Sequence, residues 1–201
     1  MESKDTFRTI ESPAEGIFRD KGSKFIGYIY PIAGDSEVKP LLQQLRAEHP
    51  KARHYCWAYR LGLDVVNFRI NDDGEPSGTA GRPILNSLLS ATLTNVLVVV
   101  VRYFGGTLLG VPGLINAYKS ATVEAMNNSI IVEKTENIVF AVRCPYLQLN
   151  AVMRIIKETD LIVRSQTFDL ECNFVLEVRK ATADLLQSKL LQVDQIEIDI
   201  K

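Results

Sequence analysis

The chain has 201 residues, enough for one large domain or two small ones, and its 46% hydrophobic content suits a proper core. A formal net charge of −1 excludes bulk basicity as a way of drawing it to nucleic acid, so any such binding needs a local patch. Cys56, Cys144 and Cys172 are odd in number and far apart in sequence, which suits reduced thiols in a cytoplasmic protein rather than a disulfide framework. No apolar leader opens the chain, and no stretch approaches the roughly 18 apolar residues of a membrane span.

Residues 7–10 read as a short strand. Residues 15–32 alternate around Lys21-Gly22-Ser23, which predicts a hairpin with Phe25, Gly27 and Ile29 on one side and Lys24, Ile26 and Tyr28 on the other. Asp35 or Ser36 can cap a helix to about residue 49, with Val38, Leu41, Leu42 and Leu45 as its stripe and Pro40 tolerated in its first turns. Residues 54–63 read as a strand carrying Tyr55, Trp57 and Tyr59 on one face, and residues 65–70 as another. Thr79 is the expected cap of a helix over residues 81–91, with Ile84, Leu85, Leu88 and Leu89 inward.

Residues 95–103 form the strand around which the rest is organised. The run from Val96 to Val101 is continuously apolar and mostly β-branched, which predicts burial on both faces. Glycine-rich loops lie on either side, at residues 71–82 and 103–110. Pro112 and Gly113 then open a helix to about residue 126, with Leu114, Ile115, Ala117, Tyr118, Ala121 and Ala125 inward. From residue 138 the order is strand, helix, two strands, helix, strand, the βαββαβ order of a ferredoxin-like domain. The charged segment at residues 133–136 marks the boundary, giving domains of 1–133 and 134–201. The whole reads as α+β, an α/β sandwich.

The motifs Asn71-Asp72-Asp73-Gly74-Glu75-Pro76-Ser77-Gly78-Thr79-Ala80-Gly81, Val99-Val100-Val101-Arg102-Tyr103-Phe104-Gly105-Gly106-Thr107-Leu108-Leu109-Gly110 and Gly113-Leu114-Ile115-Asn116-Ala117-Tyr118 resemble the signature of the IMPACT/YigZ family. His54-x-Cys56 and the segment from Lys21 to Ile26 fit it too, and the resemblance covers residues 1 to about 130. Pro112 stands where the family pattern has a small residue, which changes the helix start. The resemblance implies a ribosomal-protein-type left-handed βαβ fold in the first domain, similar to domain IV of elongation factor G. It implies a second domain similar to domain V of that factor. For bacterial members it implies nucleic-acid or ribosome binding without an established reaction. The eukaryotic regulator's competition for an activator of a starvation-sensing kinase rests largely on a further domain absent here.

The chemistry leaves alternatives. Residues 105–110 have P-loop glycine spacing, but Val111 and Pro112 follow where a Walker motif needs Lys and then Ser or Thr, so that NTPase class is rejected. Backbone amides of Gly105 and Gly106 could hold an oxyanion, or the glycines could serve tight packing. Asp72, Asp73 and Glu75 could bind Mg²⁺ or act as acid and base; otherwise they cap the next helix and pair with Arg69 or Arg82. Thr79, Gly81 and Arg82 sit at a helix N-terminus, which attracts anions. The string around Ser77 lacks the nucleophile-elbow pattern, and His54 with Cys56 does not make a zinc set. Arg53, Arg60, Arg69, Arg82, Arg102 and Lys119 could converge on RNA phosphates or be ordinary solvated charges, with Arg154, Lys157, Arg164 and Lys180 extending the patch. The leading expectation is a noncatalytic, cytoplasmic protein that binds RNA or the ribosome and modulates translation, without metal or cofactor. The alternatives are an enzyme on a phosphorylated or carboxylated small molecule, and a module that docks on a translation factor.

Overall fold

The computed structural model describes residues 5–64 and 66–200, in two units, Phe7–Lys134 and Met1–Thr6 with Thr135–Lys201. In the larger unit β1 (Thr6–Ile10) pairs with β7 (Ile131–Thr135), a strand the sequence reading missed. The remaining strands are β2 (Ala14–Asp20), β3 (Ser23–Pro31), β4 (His54–Arg60), β5 (Phe68–Asn71) and β6 (Val96–Tyr103). They form one sheet in the order β2-β3-β6-β4-β5, and every neighbouring pair is antiparallel. The expected strand over residues 65–70 is shorter, and Val65 lies outside the described residues.

β6 is central, and Val96 to Val101 are fully buried, as a run apolar on both faces demands. Val96, Val98 and Val100 share a core with Ile84, Leu85 and Leu88 of α2 (Gly81–Ser90) and with Leu114, Ala117 and Tyr118 of α3 (Gly110–Asn127). Leu97, Val99 and Val101 face the other way, onto Val38 and Leu45 of α1 (Val38–Glu48) with Tyr55 and Tyr59. At about 1.5–3 kcal/mol per buried side chain, this strand is the main apolar anchor of both layers. α3 lies directly on the cross-strand pair Gly16 and Gly27, where a β-carbon on Gly27 would sit 2.4 Å from the Ala121 carbonyl oxygen.

The two crossovers of this sheet run in opposite directions. From β3 the chain passes through α1 to parallel β4; from β5 it passes through α2 to parallel β6, each time skipping one strand. The strand pairs point in opposite senses and their helices lie on opposite faces, so the crossovers have opposite hands. One is therefore left-handed, against the right-handed rule that about 98% of such connections obey.

Local expectations fail where a distant partner or a different turn intervenes. A 3₁₀ turn, Asp35–Glu37, precedes α1, and Glu37 rather than Asp35 or Ser36 reaches back to accept from the Ala33 amide at 2.7 Å and the Gly34 amide at 3.2 Å. α3 starts two residues before Pro112, which falls in the first turn where its missing N–H is harmless. Ile115, expected inward, is 39% exposed.

The smaller unit comprises β8 (Asn137–Cys144), α4 (Leu149–Glu158), β9 (Leu161–Phe168), β10 (Cys172–Arg179), α5 (Lys180–Leu190) and β11 (Glu197–Ile200). Its sheet order, β11-β8-β10-β9, is the ferredoxin-like arrangement of a βαββαβ chain, packed around Phe140, Val142, Val152, Phe174, Leu176 and Leu186. Cys144 and Cys172, far apart in sequence, are register partners across β8 and β10, and both are free, buried thiols. Asp5 joins this unit through Arg179 at 2.8 Å and the Ala181 amide at 3.3 Å.

Candidate functional site

The loop between β5 and α2 folds around its own carboxylates. Asp72 Oδ1 accepts from the Ala80 and Gly81 amides at 3.1 and 2.8 Å, and its Oδ2 accepts from Gly78 at 2.9 Å. Asp72, not Thr79, is thus the cap of α2; the Thr79 hydroxyl donates to the Pro76 carbonyl at 2.7 Å. The positive helix end expected to draw an external anion to Thr79, Gly81 and Arg82 is already engaged by a carboxylate of the chain itself. Asp73 has φ of 41°, a left-handed conformation that Asp tolerates. Its Oδ2 accepts from the Tyr55 amide at 2.7 Å, and its Oδ1 pairs with Arg46 at 3.1 Å.

Glu75 turns inward beneath that loop and is buried. Its Oε1 accepts from Arg102 Nη1 at 2.5 Å and from the Tyr118 hydroxyl at 2.7 Å, with His54 Nε2 3.9 Å away. The Arg102 guanidinium lies near the rings of Phe25, at 5.3 Å, and Phe104, at 5.6 Å, while its Nε has no partner. His54 Nδ1 lies 2.9 Å from the Asp73 carbonyl, which can only accept, so Nδ1 carries the proton. The Cys56 thiol donates to the Asp72 carbonyl at 3.0 Å and contacts the Tyr118 hydroxyl at 3.3 Å. Burial pushes the Tyr118 phenol and the Cys56 thiol far above their ordinary values. At neutral pH one is therefore a fixed donor and the other a protonated thiol, not a base or a nucleophile.

The expected pairing of these acids with Arg69 or Arg82 does not occur: Arg46 and Arg102 take those places. Asp72, Asp73 and Glu75 point to three different partners, and among the described residues no group of three His, Cys, Asp or Glu side chains is arranged to hold a metal ion.

The second glycine loop closes against the β2–β3 hairpin. The Gly105 amide donates to Ser23 Oγ at 3.1 Å, and a β-carbon on Gly105 would lie 2.0 Å from the Gly22 carbonyl carbon. Gly106 is exposed at φ 87° and Gly110 opens α3 at φ 71°. Both loops therefore sit at the end of the sheet where β6 stops, one tied to Arg102 and the other following Tyr103.

That sheet end carries a feature sequence reading missed. Arg19 pairs in register with Lys24, Lys24 with Tyr103, and Arg53 stands just before His54, the register partner of Arg102. Arg19, Lys24, Tyr103 and Arg53 thus cross four strands in one row on the α1 face. Arg19 and Arg53 are exposed, Lys24 is half-buried, and among the described residues none of these three cations forms an ion pair. Hairpin parity could have placed Arg19 beside Lys24; the pairing of β3 with β6 had no local signal.

The other expected contacts are dispersed. Arg69 is exposed on edge strand β5. Arg82 and Lys119 are exposed on α2 and α3, on the opposite face. Arg102 is 5% exposed, and Arg60 is buried, donating to the Leu93 carbonyl at 3.2 Å. In the smaller unit Arg154, Arg164 and Lys180 are ion-paired with Glu158, Glu177 and Glu136, which removes most of the proposed extension of a basic patch.

Comparison with known proteins bears on the larger unit and on the chain as a whole. The family described as "Impact N-terminal domain" matches residues 21–126. An "IMPACT family member" of Haemophilus influenzae is 34% identical over 174 residues, 86% of this chain and 84% of the relative. "IMPACT family member YigZ" of Escherichia coli is 35% identical over 151 residues, 74% of each chain. A crystal structure described as that of a hypothetical protein aligns with a TM-score of 0.73 at 28% identity, over 98% of this chain and 97% of the other. No helix among the described residues is long and apolar enough to cross a membrane.

Proposed function

This chain belongs to the IMPACT family, and on that premise we propose that it is a noncatalytic, cytoplasmic protein of translation that binds RNA, free or within the ribosome. The observation that carries the reading is the row of Arg19, Lys24 and Arg53 beside Tyr103, cations that form no ion pair among the described residues, at the end of the sheet where both glycine loops lie. Cations spaced across one end of the sheet suit a phosphate backbone, and a half-buried tyrosine among them suits stacking on an unpaired base. The resemblance of the family's bacterial members to ribosomal-protein-type folds supports the same partner. The enzyme alternative lacks support in the loop: Asp72, Asp73 and Glu75 are engaged with the chain, and Cys56 and Tyr118 keep their protons.

Titrating purified ribosomes and a short labelled single-stranded RNA at low and moderate salt tests it. Three released counterions give a log–log salt slope of about −2. The triple variant Arg19→Glu, Lys24→Glu, Arg53→Glu should flatten that slope and lose binding, whereas Arg154→Glu should not. Binding no stronger than that of a neutral control protein at low salt, or a triple variant that binds as the parent does, overturns the reading.

A further inference from the structure

The helices on the other face of the sheet leave a groove between them with a volume of about 590 Å³, within the roughly 300–1,000 Å³ usual for small-ligand sites. α2 and α3 both begin at the loop end of the sheet, so the groove has a loop end and a far end. Along α2 it runs from Arg82 to Ser90, about 12 Å at 1.5 Å per residue. Along α3 its wall is Ile115, Lys119, Val123 and Met126, one stripe at helical spacing.

Its lining is mostly apolar, and among the described residues no carboxylate takes part in it. Its two charged side chains are both cationic: Arg82 in the first turn of α2, and Lys119 midway along α3, between Ile115 and Val123 of the stripe. Among the described residues neither forms an ion pair. The far half closes on Ala91, Val123 and Met126. An apolar trough that carries positive charge and no lining carboxylate among the described residues is complementary to a molecule with a negative group and an apolar body. A bare inorganic anion would leave the trough unfilled and meet only two exposed cations. A neutral apolar ligand would leave the charges unanswered.

We propose that this groove binds a small organic anion, an alkyl or aryl carboxylate or phosphate. Its head lies between Arg82 and Lys119 and its apolar body lies against Pro83, Ile115, Val123 and Met126. The site is on the opposite face of the sheet from the row of Arg19, Lys24 and Arg53, so it stands independently of RNA binding.

The test uses the full chain, backbone amide NMR and calorimetry, with octyl phosphate and octanoate as probes and inorganic phosphate and octanol as controls. Both probes should bind saturably, with shifts concentrated on α2 and α3, and both controls should bind more weakly. The double variant Arg82→Glu, Lys119→Glu should weaken octyl phosphate by about tenfold or more, the sum of two modest exposed charge contacts. Ser90→Trp, at an exposed position of the wall, should fill the trough and abolish probe binding while leaving the fold intact. Inorganic phosphate binding as well as octyl phosphate, octanol binding as well as octanoate, unchanged affinity in the variants, or no saturable shifts on these helices would each overturn the proposal.

Discussion

Glu75→Ala removes the carboxylate that Arg102 and Tyr118 face, and its cost can be worked from the geometry. Glu75 is 9% exposed and Arg102 5% exposed, so neither charge has ready access to water when its partner is lost. Stranding one member of a buried pair costs about 3–5 kcal/mol. Arg102 is poorly placed to recover, because its Nε already lacks a partner; the nearby rings of Phe25 and Phe104 offset part of the loss. Tyr118 also loses its charged acceptor, though its contact with Cys56 remains. We expect about 4 kcal/mol in all, close to the whole stability of a marginal domain. The single tryptophan, Trp57 in β4, reports this unit by fluorescence, and with a urea slope of about 2 kcal/mol/M the midpoint should fall by about 2 M. Glu75→Leu combined with Arg102→Met should recover most of the loss, since an apolar pair of similar volume often replaces a buried ion pair at little cost. A midpoint shift worth less than about 1 kcal/mol for Glu75→Ala, or a double variant as damaged as the sum of its singles, would refute the view that this pair holds the loop to the sheet.

Asp72→Ala should cost about 1–2 kcal/mol through loss of the α2 cap, and Thr79→Ala less, by the same urea midpoint; the reverse order would restore Thr79 as the cap. Gly27→Ala forces a β-carbon to within 2.4 Å of the Ala121 carbonyl, so α3 must lift, and thermal melts should show a loss of about 3 kcal/mol or more. Burial raises Tyr28 and Tyr30 to about 12, so the folded unit keeps two protons that the unfolded chain releases near 10. Stability of the larger unit should therefore fall as pH rises from 10 towards 12, and Tyr30→Phe should flatten that fall in Trp57 fluorescence. Hydrogen bonds from Arg179 to Asp5 and from Arg164 to Glu177 hold those carboxyls below the usual carboxylate range. Their contribution is present above that range and is lost as pH falls through the depressed values, so acid titration of either charge-removed variant, Asp5→Asn or Glu177→Gln, should show a shallower loss.

What was legible in the sequence is what short-range pattern encodes. The apolar run from Val96 to Val101 announced a central strand, the alternation around Lys21-Gly22-Ser23 announced a hairpin, and the last third announced βαββαβ. Partners across long sequence gaps were not legible. Glu75 meets Arg102, 27 residues on, rather than the nearer Arg82, because β4 and β6 bring the arginine under the loop. Asp72 caps α2 from eight residues before Ala80, outside any local capping pattern, so the adjacent Thr79 looked like the better candidate. β7 escaped notice because it is short, ends in the polar run Glu133-Lys134-Thr135 and buries none of its residues, and its partner β1 lies at the other end of the unit.

The parity of the central strand decides which of these charges can meet a ligand. Side chains alternate along β6, so Arg102 shares a face with Val100 and turns towards Glu75 and Tyr118, while Tyr103 shares a face with Val101 and lies among Lys24 and Arg53. Arg102, one of the six basic residues the sequence offered for phosphate contacts, is thereby committed to holding the first glycine loop. The free cations at this end of the sheet are the ones of opposite parity; the hairpin joins Arg19 to Lys24, but nothing local in the sequence joins β3 to β6. A register slip of one residue between β3 and β6 would exchange these roles, burying Lys24 and exposing Phe25. Phe25, fully buried against Tyr118 with ring centroids 5.2 Å apart, opposes that slip, so the apolar packing of one face fixes the charge pattern of the other.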